Sequence, residues 1–134
     1  KSKVIDDHDN FSFCLLDWRQ DFAGSVIFGD VYYDLAKLNH GLIISHEIIN
    51  KKLFEISKIG NTITFDFLRK QNIVKCQDYF NKWLEQKGYD LHKVSILTAL
   101  VFINNAPLHH FPYNLLLFYL GKSMLNDTLK QEIK

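Results

Sequence analysis

One stretch constrains the fold more than any other: in residues 11–38 a short apolar run ends in one acid, and a second acid opens the next element. Residues 13–16 (FCLL) form an almost continuous apolar run of strand length, and Asp17 follows directly. Residues 19–29 are too polar and glycine-containing to continue the strand. Asp30 suits the N-cap or first turn of a helix, because a carboxylate there accepts hydrogen bonds from free backbone N–H groups. The stretch predicts a strand, a loop and a helix, in that order.

Asp17 has two interpretations. A carboxylate at the end of a buried strand is costly unless a cation or hydrogen-bond donors meet it. A divalent metal that carries a phosphorylated ligand is one such partner, because hard cations take carboxylate oxygens. The other is an ordinary turn or an ion pair with Arg19, which could instead contact phosphate or pair with Asp21. Spacing alone leaves these alternatives open.

The helix predicted after Asp30 has an apolar face at helical spacing. Asp34 lies next to that face, so we expect it to be partly buried and to need hydrogen-bond donors. Gly41 is expected to loosen the helix and Ser45 to start another. The residues of the apolar face are Val31, Leu35, Leu38, Leu42 and Ile43.

The remaining pattern predicts an α+β chain that is mainly helical. Residues 4–18 indicate a first β-hairpin with an acidic tip, and residues 54–59 and 62–68 indicate a second hairpin around Gly60-Asn61. Three helices follow. The first ends at Gly88 and carries an apolar stripe of Ile73, Cys76, Phe80, Trp83 and Leu84. The second covers residues 91–104, is capped by Asp90 and is apolar nearly all round. The third runs from Tyr113 to about Gln131.

Composition restricts the class of protein. The chain has 134 residues, enough for a single domain with a real core, and a net charge of +1, which gives no overall bias toward nucleic acid or an anionic membrane. Cys14 and Cys76 lie in segments that look buried and indicate reduced core residues of a cytoplasmic protein. No signal peptide is visible, and the apolar runs are shorter than the about 20 residues of a membrane span.

Two segments together resemble a known family. LLDWRQDFAG (residues 15–24) and FGDVYYDLAKL (residues 28–38) resemble the kinase-like small-molecule phosphotransferases, the aminoglycoside phosphotransferase and choline kinase group, and above all its sugar- and capsule-associated members. By this resemblance Asp17 matches the metal-binding acid that corresponds to the aspartate of the protein-kinase DFG motif. Asp30 and Asp34 match the two acids of the helix that supports the catalytic loop.

The resemblance implies the C-terminal lobe of a protein-kinase-like fold. The intact protein would move the γ-phosphoryl group of ATP or another nucleoside triphosphate to a hydroxyl of a small molecule, such as a sugar or an amino alcohol, with Mg²⁺ held by Asp17. The family's His-Gly-Asp catalytic loop should precede Asp17, whereas His40-Gly41 lies after it and is followed by Leu42. We therefore expect no catalytic residue in this chain, and no kinase activity from it alone.

A loop between the last two helices is a candidate acceptor pocket, since the helical lobe holds the acceptor in this family. It contains His109, His110, Tyr113 and Asn114. An ordinary structural loop with one hydrogen-bonded imidazole is the alternative.

Two other functions compete with the phosphotransferase. One is a non-catalytic helical binding or scaffolding domain derived from the same fold. The other is a stand-alone helical domain in which Asp17, Asp30 and Asp34 only cap helices and form ion pairs. In either case, aromatic surfaces left by a missing lobe could drive self-association.

Overall fold

The computed structural model describes residues 24–25 and 29–132, with the backbone alone for residues 131–132. The chain divides into two compact units, Lys1–Asp30 and Val31–Lys134, and the fold below is that of the second. The predicted first hairpin, together with Cys14, Asp17 and Arg19, lies outside the described residues.

The described chain is mainly helical with one antiparallel hairpin, as the sequence predicts. In chain order the elements are α1 Val31–Ile43, α2 His46–Asn50, β1 Phe54–Ile59, β2 Thr62–Phe67, α3 Gln71–Gln86, α4 Leu91–Asn105, a 3₁₀ turn Ala106–Leu108, and α5 Tyr113–Glu132. Helix α1 continues through Gly41, and the chain breaks at Ser45, whose extended backbone starts α2.

Helix α4 is the centre of the bundle and packs against both α1 and α5. Its contact with α5 is close because Gly121 has no side chain: a Cβ there would lie 2.7 Å from the Ala99 carbonyl oxygen. Leu100 is exposed, so α4 is not buried all round as its apolar sequence predicts. One side of α4 faces solvent.

Two apolar clusters form the core. The first joins α4 and α5 to the hairpin and to the end of α1 with the residue after it. It contains Ile43, Ile44, Phe102, Ala106, Leu116, Leu117 and Leu120. The second joins α1, α3 and α4 and contains Leu35, Phe80, Leu84 and Val94.

The predicted stripe of α3 is correct except at Cys76, which is exposed rather than buried. Phe80 and Leu84 are buried, and Ile73 and Gln77 are partly buried. Successive residues of a helix are rotated by about 100°. The buried face of α3 passes through Gln77, so the neighbouring Cys76 side chain is turned toward solvent.

The junction between α3 and α4 follows the predicted caps. Gly88 adopts the left-handed conformation at φ 74° after α3. The backbone N–H of Tyr89 donates to the Leu84 carbonyl at 2.9 Å, and that of Gly88 donates to the Glu85 carbonyl at 3.0 Å, which is a Schellman motif. Asp90 then caps α4 by accepting a 3.1 Å hydrogen bond from the Lys93 backbone N–H.

One apolar stretch of the described chain also has the length and composition of a membrane span. It covers Leu91–Leu108, with a mean hydropathy of 1.2. A third of this stretch is buried inside the bundle, and core helices of proteins that never enter a membrane share these properties. It is weak evidence for a membrane span.

Candidate functional site

The two acids matched to the catalytic-loop support lie at the beginning of α1. Asp30 is half-buried and directly precedes the helix, as predicted for an acid at a helix N-terminus. Asp34, in the first turn, is exposed and not partly buried as predicted. Val31 and Leu38, predicted to lie on the buried face, are 45% and 54% exposed.

The buried face of α1 consists of Leu35, Ala36, Asn39 and Ile43. The face with Val31, Asp34 and Leu38 is separate from it, because residues at i, i+3 and i+7 share one side of a helix. Helix α1 therefore has a buried face toward the bundle and a second, exposed face on which one carboxylate lies between two large apolar side chains. We call this second set of three residues the outer face of α1.

A network of polar side chains, which the sequence pattern does not predict, connects α1 to α3 and α4. The Gln77 amide donates to Asn39 Oδ1 at 3.0 Å, and Arg69 Nη2 donates to Gln77 Oε1 at 2.6 Å and to the Leu42 carbonyl at 2.9 Å. The Asn39 amide donates in turn to Thr98 Oγ1. Within this network, Arg69 Nε is buried without a hydrogen-bond partner among the described residues. The network fixes α1 relative to α3 and α4.

A cavity of about 720 Å³ lies between the hairpin, α2 and the beginning of α5. Its lining includes Phe54, Ile56 and Phe65 from the hairpin, together with Tyr113 and Lys52. Phe54 and Tyr113 both line it, and their ring centroids lie 6.0 Å apart. We call this the hairpin cavity.

Of the four residues predicted to form an acceptor pocket, only Tyr113 lines the hairpin cavity. His109 and His110 are exposed, and the His109 ring contacts the Tyr113 ring at a centroid distance of 4.8 Å. Asn114 lies in the first turn of α5, where its side-chain oxygen accepts from the Leu115 backbone N–H at 2.8 Å. The structure does not bring the four side chains together around one cavity.

The electrostatics of this region depend on burial and on one ion-pair cluster. Burial raises the pKa of Tyr113, so its phenol is neutral at physiological pH. Hydrogen bonds from Lys51 and Lys70 lower the pKa of the exposed Glu47 to about 2. His40 lies against the Phe102 ring with centroids 4.5 Å apart, and burial lowers its pKa to about 4.

The residues expected to bind a metal ion lie outside the part of the chain that the structure describes. Within residues 24–25 and 29–132, no three histidine, cysteine, aspartate or glutamate side chains are grouped so as to hold a metal ion. The acid expected to bind Mg²⁺, Asp17, and the neighbouring Arg19 lie outside that range.

Comparisons with protein-family models, with curated proteins and with solved structures find no match to this chain.

Proposed function

We propose that this chain is the C-terminal helical part of a kinase-like phosphotransferase that transfers the γ-phosphoryl group of ATP, or another nucleoside triphosphate, to a hydroxyl of a small molecule. The observation that carries the proposal is the outer face of α1. It presents Asp34 between Val31 and Leu38, within the FGDVYYDLAKL segment that resembles the family.

An exposed face of this kind fits a helix that supports another segment. Two large apolar side chains would pack against that segment, and the carboxylate of Asp34 would accept hydrogen bonds from its backbone N–H groups. In the proposed enzyme the segment is the catalytic loop, which precedes Asp17 in the family. Since this chain does not contain that loop, we expect it to be inactive alone.

Asp17 would hold Mg²⁺ together with an asparagine of the catalytic loop, and Arg19 would lie close to the phosphates. The metal would supply charge stabilisation at the phosphate oxygens. Asp30 and Asp34 would act only through the position of the loop, and are therefore positioning residues.

Calorimetry on the product of the intact gene tests the proposal, with Mg²⁺·ATP and with ATP in the presence of a chelator. We expect metal-dependent binding that Asp17→Asn abolishes. Asp34→Asn should weaken binding while leaving the melting temperature unchanged, because this carboxylate is exposed. Asp78→Asn, at an exposed acid of α3, is the matched control and should change neither quantity.

A second candidate is a non-catalytic binding domain built on the same helical body, favoured by the hairpin cavity, which is defined without any of the acids discussed above. Absence of Mg²⁺·ATP binding by the intact product would contradict the phosphotransferase and favour this alternative.

A further inference from the structure

We propose that the hairpin cavity binds a small carboxylate with a flat apolar body, and that Lys52 holds the carboxylate. The inference does not depend on the proposed phosphotransferase activity. It rests on three observations: the backbone conformation of Lys52, its lack of an acidic partner, and the character of the cavity walls.

The backbone of Lys52 adopts a conformation that favours glycine. Its φ is 53°, and it is the one residue other than glycine with a positive φ in the described chain. The Leu53 N–H donates to the Ile48 carbonyl at 2.9 Å and the Lys52 N–H donates to the Ile49 carbonyl at 3.0 Å, so α2 ends in a Schellman motif with Lys52 at the left-handed position.

Helix α3 ends in the same motif with Gly88 at the corresponding position. Within one chain, the same turn is therefore made once with glycine and once with lysine. A side chain in this conformation is strained, and such strain is concentrated at ligand sites, where the side chain has another use. Here Lys52 is one of the residues that line the hairpin cavity.

Lys52 is exposed, and its charge is not part of an ion pair among the described residues. Its neighbour Lys51 and the more distant Lys70 both pair with Glu47, whereas no described carboxylate pairs with Lys52. A carboxylate ligand would supply the missing partner.

Two acids, Glu55 and Asp66, also border the cavity. They face each other across the ladder, one residue away from the Phe54–Phe67 and Ile56–Phe65 pairs. Because side chains alternate between the two faces of a strand, those of Glu55 and Asp66 belong to the opposite face of the hairpin from the aromatic rings. Ser57 and Thr64, which also border the cavity, belong to that same face. The aromatic face of the hairpin therefore carries neither of the two acids.

The inner wall is apolar and aromatic. Phe54, Phe65 and Tyr113 pack against the core and also line the cavity, with Ile49 and Pro112 beside them. Small-molecule pockets have volumes of roughly 300–1,000 Å³. The hairpin cavity has a volume in that range, and its walls suit a flat ring system, with Lys52 to neutralise one negative charge.

The test compares two probes of equal ring size, 2-naphthoate and the uncharged 2-naphthylmethanol, by calorimetry on this 134-residue chain. We expect 2-naphthoate to bind about tenfold more tightly, a typical effect of one charge-assisted contact. Lys52→Met should remove the preference, and Lys87→Met, beyond the end of α3, should retain it.

The Lys52→Gly variant distinguishes a role of Lys52 in ligand binding from a role in stability, because the ligand role predicts that affinity and melting temperature change in opposite directions. Relief of the strained backbone should raise the melting temperature, while the affinity for 2-naphthoate should fall about tenfold. Equal affinity for the two probes, no binding of either, or an unchanged affinity in Lys52→Gly would overturn the proposal. Since no nucleotide is used, these results are independent of the phosphotransferase test.

Discussion

The side-chain amide of Asn39 donates a 3.1 Å hydrogen bond to the hydroxyl of Thr98, which joins α1 to α4 inside the bundle. Asn39 is 5% exposed and Thr98 is fully buried. Thr98 Oγ1 also donates to the Val94 carbonyl of its own helix at 2.7 Å. The bond holds the helix that carries Asp34 in one rotational setting, so α1 presents its outer face to solvent.

The first prediction concerns this bond. Thr98→Val should lower the free energy of unfolding by about 1–3 kcal/mol, because the Asn39 amide loses its acceptor in the interior. Urea denaturation measures the change. Thr98→Ser, which retains the hydroxyl and loses only a methyl group, should cost about 1 kcal/mol. A Thr98→Val protein as stable as the serine variant would contradict the role of the bond.

The second prediction uses two helical glycines that differ only in their surroundings. Gly121→Ala should destabilise the protein by about 1–3 kcal/mol, because its Cβ would lie 2.7 Å from the Ala99 carbonyl oxygen and 2.8 Å from Ile103 Cγ1. Gly41→Ala is the matched control. Nothing lies within 4 Å of its Cβ, so alanine should stabilise α1 by about 0.5–1 kcal/mol. Thermal denaturation should show melting temperatures that move in opposite directions.

The third prediction concerns pH. His40 has a pKa of about 4 in the folded chain against 6.5 in the unfolded chain, chiefly because of burial, with Lys37, His46 and His109 adding repulsion. Since the unfolded state takes up the proton first, the contribution of His40 to stability is complete above pH 6.5. It is lost as the pH falls toward 4.

Between pH 6.5 and pH 4 the loss of unfolding free energy due to His40 should amount to about 1–3 kcal/mol. Urea denaturation from pH 7.5 to pH 4 measures it, and His40→Phe is the comparison because it retains a ring against Phe102 without a titratable group. The free energies of unfolding of the wild-type and His40→Phe proteins should change in parallel above pH 7. Below pH 6.5 that of the wild-type protein should fall more steeply. Parallel profiles over the whole range would show that His40 is not responsible.

The fourth prediction concerns the N-terminus of α4. Asp90→Ala removes the acceptor of the Lys93 backbone N–H and should cost about 1 kcal/mol of unfolding free energy. Asp90→Ser, which can accept the same bond, should retain most of the stability. Equal losses in the two variants, measured by thermal denaturation, would indicate that capping is not the origin of the effect.

Local patterns were enough to locate the described elements. Gly60-Asn61 between two alternating runs placed the second hairpin, and Gly88 with Asp90 placed the boundary between α3 and α4. These signals act over a few residues, because turn conformation and capping depend on neighbouring backbone groups. These signals can therefore locate a turn or a helix end without information about how the elements pack together.

The same patterns were wrong about which side of a helix is buried. Hydrophobic periodicity predicts buried positions for Val31, Leu38 and Cys76, whereas all three are exposed. The positions next to them include the buried Asn39 and the partly buried Gln77, two polar residues that hydrophobic periodicity gives no reason to place inside. Their polar groups are satisfied there because Gln77 donates to Asn39 and Asn39 donates to Thr98, which links three helices.

The sequence by itself located the second hairpin and the helices of the described chain, although α1 continues through Gly41, and it supplied the motif on which the phosphotransferase proposal depends. Only the tertiary structure decided which way α1 faces, and that Lys52, Phe65 and Tyr113 line one cavity. The physical reason is the distance along the chain over which each kind of interaction acts. Caps and turns are satisfied within a few residues, whereas burial and cavities depend on contacts between residues far apart in the chain, which no local pattern specifies.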